Sequence, residues 1–377
     1  MPEVHAKLSA SGAKRWINCP PSVALETKFP STTSKYAEEG TKAHEIAELK
    51  LTKYIRKKRK KIECEDKDMD YYTDLYRDYC VEIYNKLRKK CKDTVFLIEQ
   101  RLDFSKYVPG GFGTGDCVII ADNELHIIDL KYGKGVEVEA DDNPQLRLYG
   151  LGACTAFEML YDFDTITTHV MQPRLDNISA ETLSVKDLKI WAEDVVAPAA
   201  ALADVGEGKF KCGDHCQFCK AKAVCKARKE YLMELEKFNY DDPSLLTIED
   251  VQEVLTKVDE LKKWAESVKE FALDQILEGK DIPGYKAVEG RSLRKYVDEE
   301  KISEALKNNG YDEAVIYEKK LLGITAMTKL LGKKDFSDLI GDLVEKPQGK
   351  PTIAPEGDKR PSLTVNDAQE DFKDLLQ

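Results

Sequence analysis

The hydrophobic and polar positions of this chain change period several times, and each change marks an element. From Gly113 to Gly133, GTGDCVIIADNELHIIDLKYG, apolar residues form two short runs separated by Asp122-Asn123. Those two residue types tolerate the positive φ of a two-residue hairpin, so the pattern predicts paired strands. Upstream, Tyr71, Leu75, Tyr79, Val81, Tyr84 and Leu87 keep helical spacing within 70–92, and 95–104 is strand-like. Residues 8–19 read as an earlier short helix with Ser9 or Ser11 as its cap. Downstream, Asn143-Pro144 opens a helix with Asn as N-cap and Pro at the first position. Residues 164–173 read as a further strand completing a small sheet, and helical spacing resumes near 185–202. In the last third a capping box at Thr247 to Asp250 starts a long amphipathic helix bearing Val251, Leu255, Val258, Leu261 and Trp264. That helix needs a partner face, from shorter helices near 299–308 and 320–341 or from another subunit. These breaks predict three regions: 1–240, a helical 241–345, and an extended tail 346–377 with a short terminal helix.

With the hairpin turn at Asp122-Asn123, Ala121 pairs with Glu124, and counting outward sets Asp116 opposite Asp129. Like charges across a ladder are destabilising, and Val118, Ile120, Leu125 and Ile127 make the same face apolar, which raises the cost of burying them. Lys131 projects from that face too, because side chains alternate along a strand. A divalent cation would supply the remaining positive charge, and magnesium suits a site of one or two carboxylates. The same residues also fit a plain hairpin with an Asp129–Lys131 surface salt bridge.

The 377 residues can bury a full core in more than one structural unit. A net charge of -11 argues against wholesale coating of nucleic acid, so any such contact must come from local patches. Two basic stretches qualify, Lys50 to Lys61 and Lys286 to Lys295; each fits a solvated surface equally well. No apolar run reaches membrane-span length and the first residues lack a signal-peptide core, so a cytoplasmic location without membrane association is expected. Ten cysteines in such a chain are not expected to form a disulfide framework. Cys216-x2-Cys219-x5-Cys225 is a tight thiolate group with Lys211, Lys220, Lys222 and Lys226 around it, suited to zinc or to an iron-sulfur cluster. A local zinc site would recruit Cys212, or His215, as fourth ligand.

Gly-Asp116, then a dozen residues, then Asp129-x-Lys131 inside apolar strands resembles motifs II and III of the PD-(D/E)XK nuclease superfamily. Gly40-Thr41-x-x-His44 resembles motif I of its RecB-type branch, and Gln145-x-x-x-Tyr149 resembles motif IV. Ser11-x-x-x-x-Trp16-x-x-Cys19-Pro20 is similar to the opening of the iron-sulfur members, which include the AddB nuclease domain and CRISPR-associated nucleases. The resemblance covers about residues 8–230. It implies an α/β restriction-endonuclease-like core, a small mixed sheet flanked by helices, with an α-helical C-terminal extension.

The resemblance further implies that His44, Asp116, Asp129 and the Leu130 carbonyl hold Mg2+ or Mn2+, that Lys131 orients a water, and that Gln145 and Tyr149 position the lysine or the phosphate. It makes Cys19, Cys216, Cys219 and Cys225 the ligands of a 4Fe-4S cluster and leaves Cys212 spare, with Zn2+ as the alternative occupant. The whole arrangement resembles phage-encoded proteins of recombination and replication, which implies a DNA end-resecting exonuclease in a bacterial host cytoplasm. A single-strand-binding or annealing protein is the implied partner, and the C-terminal helices could support an oligomer. The alternative is a non-catalytic DNA-binding or assembly protein on the same scaffold. On these residues Glu99 and Asp103 are expected to be structural.

Overall fold

The paired runs form a hairpin within a five-stranded sheet of order β1 (Val95–Asp103), β2 (Phe112–Ala121), β3 (Glu124–Leu130), β4 (Thr165–Gln172) and β5 (Asn177–Ser184). The structure, a computed structural model, describes residues 6–30, 35–57, 62, 64–234, 247–288, 298–317, 321 and 323–344. The turn falls where the sequence places it: Ala121 pairs with Glu124 and Asp122 takes a φ of 55°. All neighbours are antiparallel except β3 and β4, which are parallel. A parallel pair needs a crossover, and helix α5 (Pro144–Phe157) supplies it. Asn143 caps that helix by accepting from the Gln145 and Leu146 N–H groups.

Strand alternation sends two sets of side chains to opposite faces. Val118, Ile120, Leu125 and Ile127 join Leu146, Leu148, Tyr149 and Ile166 in the larger core. That core also takes residues from α1 (Ala13–Asn18), α2 (Ser22–Glu26), α6 (Val185–Trp191) and α7 (Ala197–Val205). Gly150 lets α5 lie close on the sheet, since a Cβ there would stand 2.0 Å from Ile166 Cδ1. Cys117, Ile119, Ile128 and Leu130 face the other way, onto α3 (Lys35–Ile55) and α4 (Lys67–Lys90). The result is a mixed α/β fold whose mostly antiparallel sheet carries helices on both faces.

Two sequence expectations change. Helix α1 starts at Ala13 without a side-chain cap; Ser9 Oγ instead accepts from the Gly12 N–H at 3.2 Å. Lys50 is buried and paired with Asp70 (2.7 Å) and Asp74 (2.9 Å), so the first residue of the basic stretch compensates acids of α4 and offers nothing to a phosphate. Residues 58–61 of that stretch lie outside the described residues, as do Arg291, Arg294 and Lys295 of the second.

The long amphipathic helix α9 (Ile248–Leu277), with its Thr247 capping box, finds its partner in α8 (Lys226–Met233). Arg228 pairs with Glu260 at 3.0 Å, and Trp264 Nε1 donates to the Ala223 carbonyl at 3.2 Å. The sequence looks to later helices or a second subunit because Val251, Leu255 and Val258 dominate its pattern, yet those three are exposed. The chain divides into two units, Met1–Gly290 and Arg291–Gln377. The second contains α10 (Glu299–Asn308), α11 (Glu313–Ile316), α12 (Ile324–Leu331) and α13 (Lys333–Ile340). The region boundaries at 241 and 346 fall outside the described residues.

Under the sheet lies a buried chain of ring contacts. Tyr79 OH meets His169 Nδ1 at 3.0 Å, and His169 Nε2 meets His126 Nδ1 at 3.1 Å. Burial, with the His126 ring beside it, pushes the His169 imidazole down to about 3. The unfolded chain takes up this proton near the ordinary value of about 6.5, whereas the native state does not. Stability is therefore fully present above that value and is lost as pH falls from there toward the native value. Thermal unfolding between pH 6.5 and 4 should show this loss at up to about 1.4 kcal/mol per pH unit, shallower by that amount in His169→Gln. An equal slope in the variant would remove His169 as its source.

Candidate active site and cysteine pocket

The hairpin register sets Asp116 of β2 across from Asp129 of β3, and elements from both faces close around them. Asp116 Oδ2 accepts the Leu130 backbone N–H at 2.8 Å, and its Oδ1 lies 3.2 Å from His44 Nδ1 of α3. The recorded polar contact of Leu130 at this site is thus made by its N–H, while the resemblance implies a role for its carbonyl. Burial disfavours a charged His44, but the Asp116 carboxylate outweighs it and raises the imidazole to about 9. Asp129 is buried, and desolvation pushes its carboxyl up, with Lys131 opposing and Asp116 adding to the rise.

Lys131 sits where alternation places it. Its Nζ lies 3.0 Å from Asp129 Oδ2 and donates to Gln145 Oε1 at 2.9 Å. Gln145 Nε2 in turn reaches Asp129 Oδ1 at 3.4 Å and Tyr149 OH at 3.2 Å. Gln145 and Tyr149 stand one helical turn apart on α5, so one face of that helix serves the lysine. Asp129, Lys131, Gln145 and Tyr149 thus form one connected set, and His44 and Asp116 a second that reaches it through the Leu130 backbone.

Glu99, expected to be structural, lies beside His44 and Asp116. One carboxylate oxygen of Glu99, one of Asp116 and a His44 ring nitrogen all lie within 4.8 Å of one another. Asp129 is not one of this trio. Glu99 adopts a φ of 49° inside β1, and the recorded pairing passes from Ile98 to Gln100 without it. A left-handed backbone at a non-glycine residue is costly and often marks a functional position. The hydrophobic pattern of β1 gives no hint of that twist.

These donors fit a hard divalent cation. They comprise carboxylate oxygens and one imidazole, and Asp129 Oδ2 is a buried atom without a hydrogen-bond partner. It meets the Lys131 ammonium as an ion pair, outside hydrogen-bond alignment.

The second cluster gathers residues far apart in the chain. Cys19, at the end of α1, lines one cavity with Cys216, Cys219 and Cys225, and Cys212 and His215 reach it too. Arg15, Lys211, Lys222 and Arg228 line the same cavity and favour thiolates. Hydrogen bonding with Cys212, 3.9 Å away, pulls Cys216 down to about 4 against the effect of burial. Burial opposes ionisation of Cys19 as well, but its His215 contact leaves the thiol below its usual range. Burial pushes Cys219 up to about 12.

Tetrahedral zinc, with Zn–S near 2.3 Å, sets sulfurs about 3.8 Å apart. Among the described residues no three of these sulfurs lie within 4.8 Å of one another. A second attachment runs alongside: Arg15 pairs with Glu26 at 2.8 Å, and Glu26 accepts the Lys220 N–H at 2.8 Å.

Among solved structures, the chain is similar to the "Putative exonuclease" of Eubacterium rectale over 65% of its own length and 92% of that chain, at 14% identity and a TM-score of 0.33. It is also similar to the crystal structure of SSO0001 over 58% of its length and 85% of that chain, at 12% identity and a TM-score of 0.26. Both likenesses are remote. A family model matches residues 5–361, nearly the whole chain, and the protein belongs to that family, described as Protein of unknown function (DUF2800).

Proposed function

We propose that this protein is a metal-dependent nuclease that hydrolyses phosphodiester bonds in DNA, working from ends as an exonuclease of the RecB/AddB-like type. The observation that carries the reading is the buried Asp129, paired with Lys131 and facing Asp116, with an oxygen that no hydrogen bond satisfies. Mg2+ or Mn2+, held by Asp116, Asp129 and His44 with Glu99 beside them, would polarise the scissile phosphate and acidify a water. The imidazole donor makes manganese a good substitute for magnesium.

The protein's own groups divide the remaining work. Lys131 orients the attacking water and stabilises the charge that builds on phosphorus. Gln145 fixes the ammonium at 2.9 Å, and Tyr149 fixes Gln145 at 3.2 Å, so a flexible four-carbon side chain arrives with little freedom left to lose. Asp116 ties the ends of β2 and β3 together through the Leu130 N–H, keeping the carboxylates in register.

In this reading the cysteine pocket holds a 4Fe-4S cluster on Cys19, Cys216, Cys219 and Cys225, with Cys212 outside the ligand set. The cluster's role is structural: it fastens α1 to the segment after α7 and needs no redox step. A single-strand-binding or annealing protein is the matching partner for an end-resecting enzyme.

Two experiments test the proposal. With Mn2+ or Mg2+, end-labelled linear duplex should shorten while circular duplex survives. Asp116→Ala should abolish activity, and Lys131→Ala should lower it by at least about 10²-fold. Glu99→Gln should lower it too, and more with magnesium than with manganese. No cleavage with either ion, or full activity in Lys131→Ala, contradicts the reading. Anaerobically purified protein should be brown and carry iron, retaining it in Cys212→Ser and losing it in Cys19→Ser. Stoichiometric zinc, or the reverse pattern in the two variants, would replace the cluster with a local zinc site.

A further inference from the structure

Of the cations lining the cysteine cavity, Arg15, Lys211, Lys222 and Arg228, the last is set apart by its burial. Arg228 is only 1% exposed. Its two terminal nitrogens are occupied. Nη1 donates to the Lys222 carbonyl at 3.3 Å, and Nη2 donates to Glu260 of α9 at 3.0 Å. Nε is not occupied: it is a buried donor without a hydrogen-bond partner. A buried N–H left unmet is costly, and native folds rarely keep one without a use for it.

A staple between α8 and α9 does not account for this choice of residue. One donor to Glu260 and one to the Lys222 carbonyl are within the reach of a lysine ammonium, which carries three. Guanidinium adds an N–H at Nε, nearer the backbone than the rest, and that is the one left free. The other lining cations are engaged elsewhere or open to water. Arg15 pairs with Glu26 at 2.8 Å and donates to Ser22 Oγ at 2.8 Å, Lys222 Nζ donates to the Gln217 carbonyl at 3.3 Å, and Lys211 is exposed.

The backbone beside Arg228 carries charge of the same sign. Cys225 is the N-cap of α8, its side chain makes no capping bond, and Ala227 in the first turn also lines the cavity. A helix N-terminus presents free N–H groups and partial positive charge to whatever is held there. Metal bound by several thiolates is a net anion, for zinc and for an iron-sulfur core alike, and its sulfurs accept N–H hydrogen bonds. Arg228 and Trp264 also hold consecutive carbonyls, those of Lys222 and Ala223, in the stretch between Cys219 and Cys225. The α8–α9 contact thus fixes the loop that joins two of the thiolates.

We propose that Arg228 is a positioning residue of the metal centre in the cysteine pocket: its Nε–H donates to a sulfur of that centre while Glu260 holds the guanidinium from α9. The inference rests on the reading that these cysteines bind metal, and it adds the buried cation that balances the centre's charge. It also connects α9, which lies beyond the nuclease resemblance, to the cofactor through one side chain.

The test begins with the unsubstituted full-length protein, labelled with arginine carrying the heavy nitrogen isotope, purified anaerobically and reduced. Pulsed EPR of the iron centre should show a hyperfine coupling to a guanidinium nitrogen, and the coupling should vanish in Arg228→Lys, which keeps a cation for Glu260. In the double variant Arg228→Gln/Glu260→Gln both charges go together, so no buried carboxylate is left unpaired. Its midpoint potential should move to more negative values, and its iron should pass to a chelator several-fold faster. An Arg228 that only joins the helices would change the melting temperature and leave the potential in place. Absence of the coupling in the unsubstituted protein, its survival in Arg228→Lys, or an unmoved potential in a folded double variant overturns the inference. Should the double variant not fold, the coupling decides. If the pocket holds zinc, the iron-sulfur assignment alone fails, and Arg228 is judged by zinc release to the chelator: several-fold faster in the double variant supports it, and equal release overturns it. Protein that carries neither metal removes both readings.

Discussion

Two carboxylates facing each other at the end of a buried hairpin are the constraint around which this structure is arranged. Like charges opposed across a ladder repel, and burial adds a desolvation cost. The protein supplies partial compensation: Lys131 against Asp129, His44 and the Leu130 N–H against Asp116. The Asp116 carboxylate outweighs burial and draws His44 up to about 9, while desolvation pushes Asp129 up.

The rest of the first unit holds that pair in place. The parallel join of β3 to β4 forces a crossover, and the crossover helix delivers Gln145 and Tyr149 from the side opposite α3. The connection into that helix is fastened by Gln172 and the polar face of β5, and Arg147 bridges Glu181 and Asp142 at the same end. Arg15 pairs with Glu26, which accepts the Lys220 N–H, and so ties the first helices to the segment that precedes α8. The chemistry thus rests on the strand ends, and the contacts that hold those ends come from parts of the chain more than a hundred residues apart.

Much of this was legible in the sequence because local rules decided it. The Asp122-Asn123 turn sets the register of β2 and β3, and register with alternation places Asp116, Asp129 and Lys131 together. Helical spacing then puts Gln145 and Tyr149 on one face. What escaped notice depended on tertiary contacts or on a broken pattern. Glu99 reaches the site through a left-handed kink that no propensity signals. Strand β5 gives no strand signal because its partly buried positions, Asn177, Ser179 and Glu181, are polar and Ile178 is exposed, an inversion of the usual alternation. The reason is the segment before α5, whose backbone needs hydrogen-bonding side chains where a core would need apolar ones. The buried positions of α9 include Lys257 and Ser267, and Glu260 pairs with Arg228, polar positions that no apolar stripe signals.

The claim that a cation completes the carboxylate pair is tested most directly by crystals grown with Mn2+ and measured near the manganese absorption edge. The account predicts an anomalous peak at bonding distance, about 2.2 Å, from oxygens of both Asp116 and Asp129, with His44 in the coordination shell. Crystals saturated with Mn2+ that show no peak there, with Lys131 bridging the two carboxylates in its place, would contradict it.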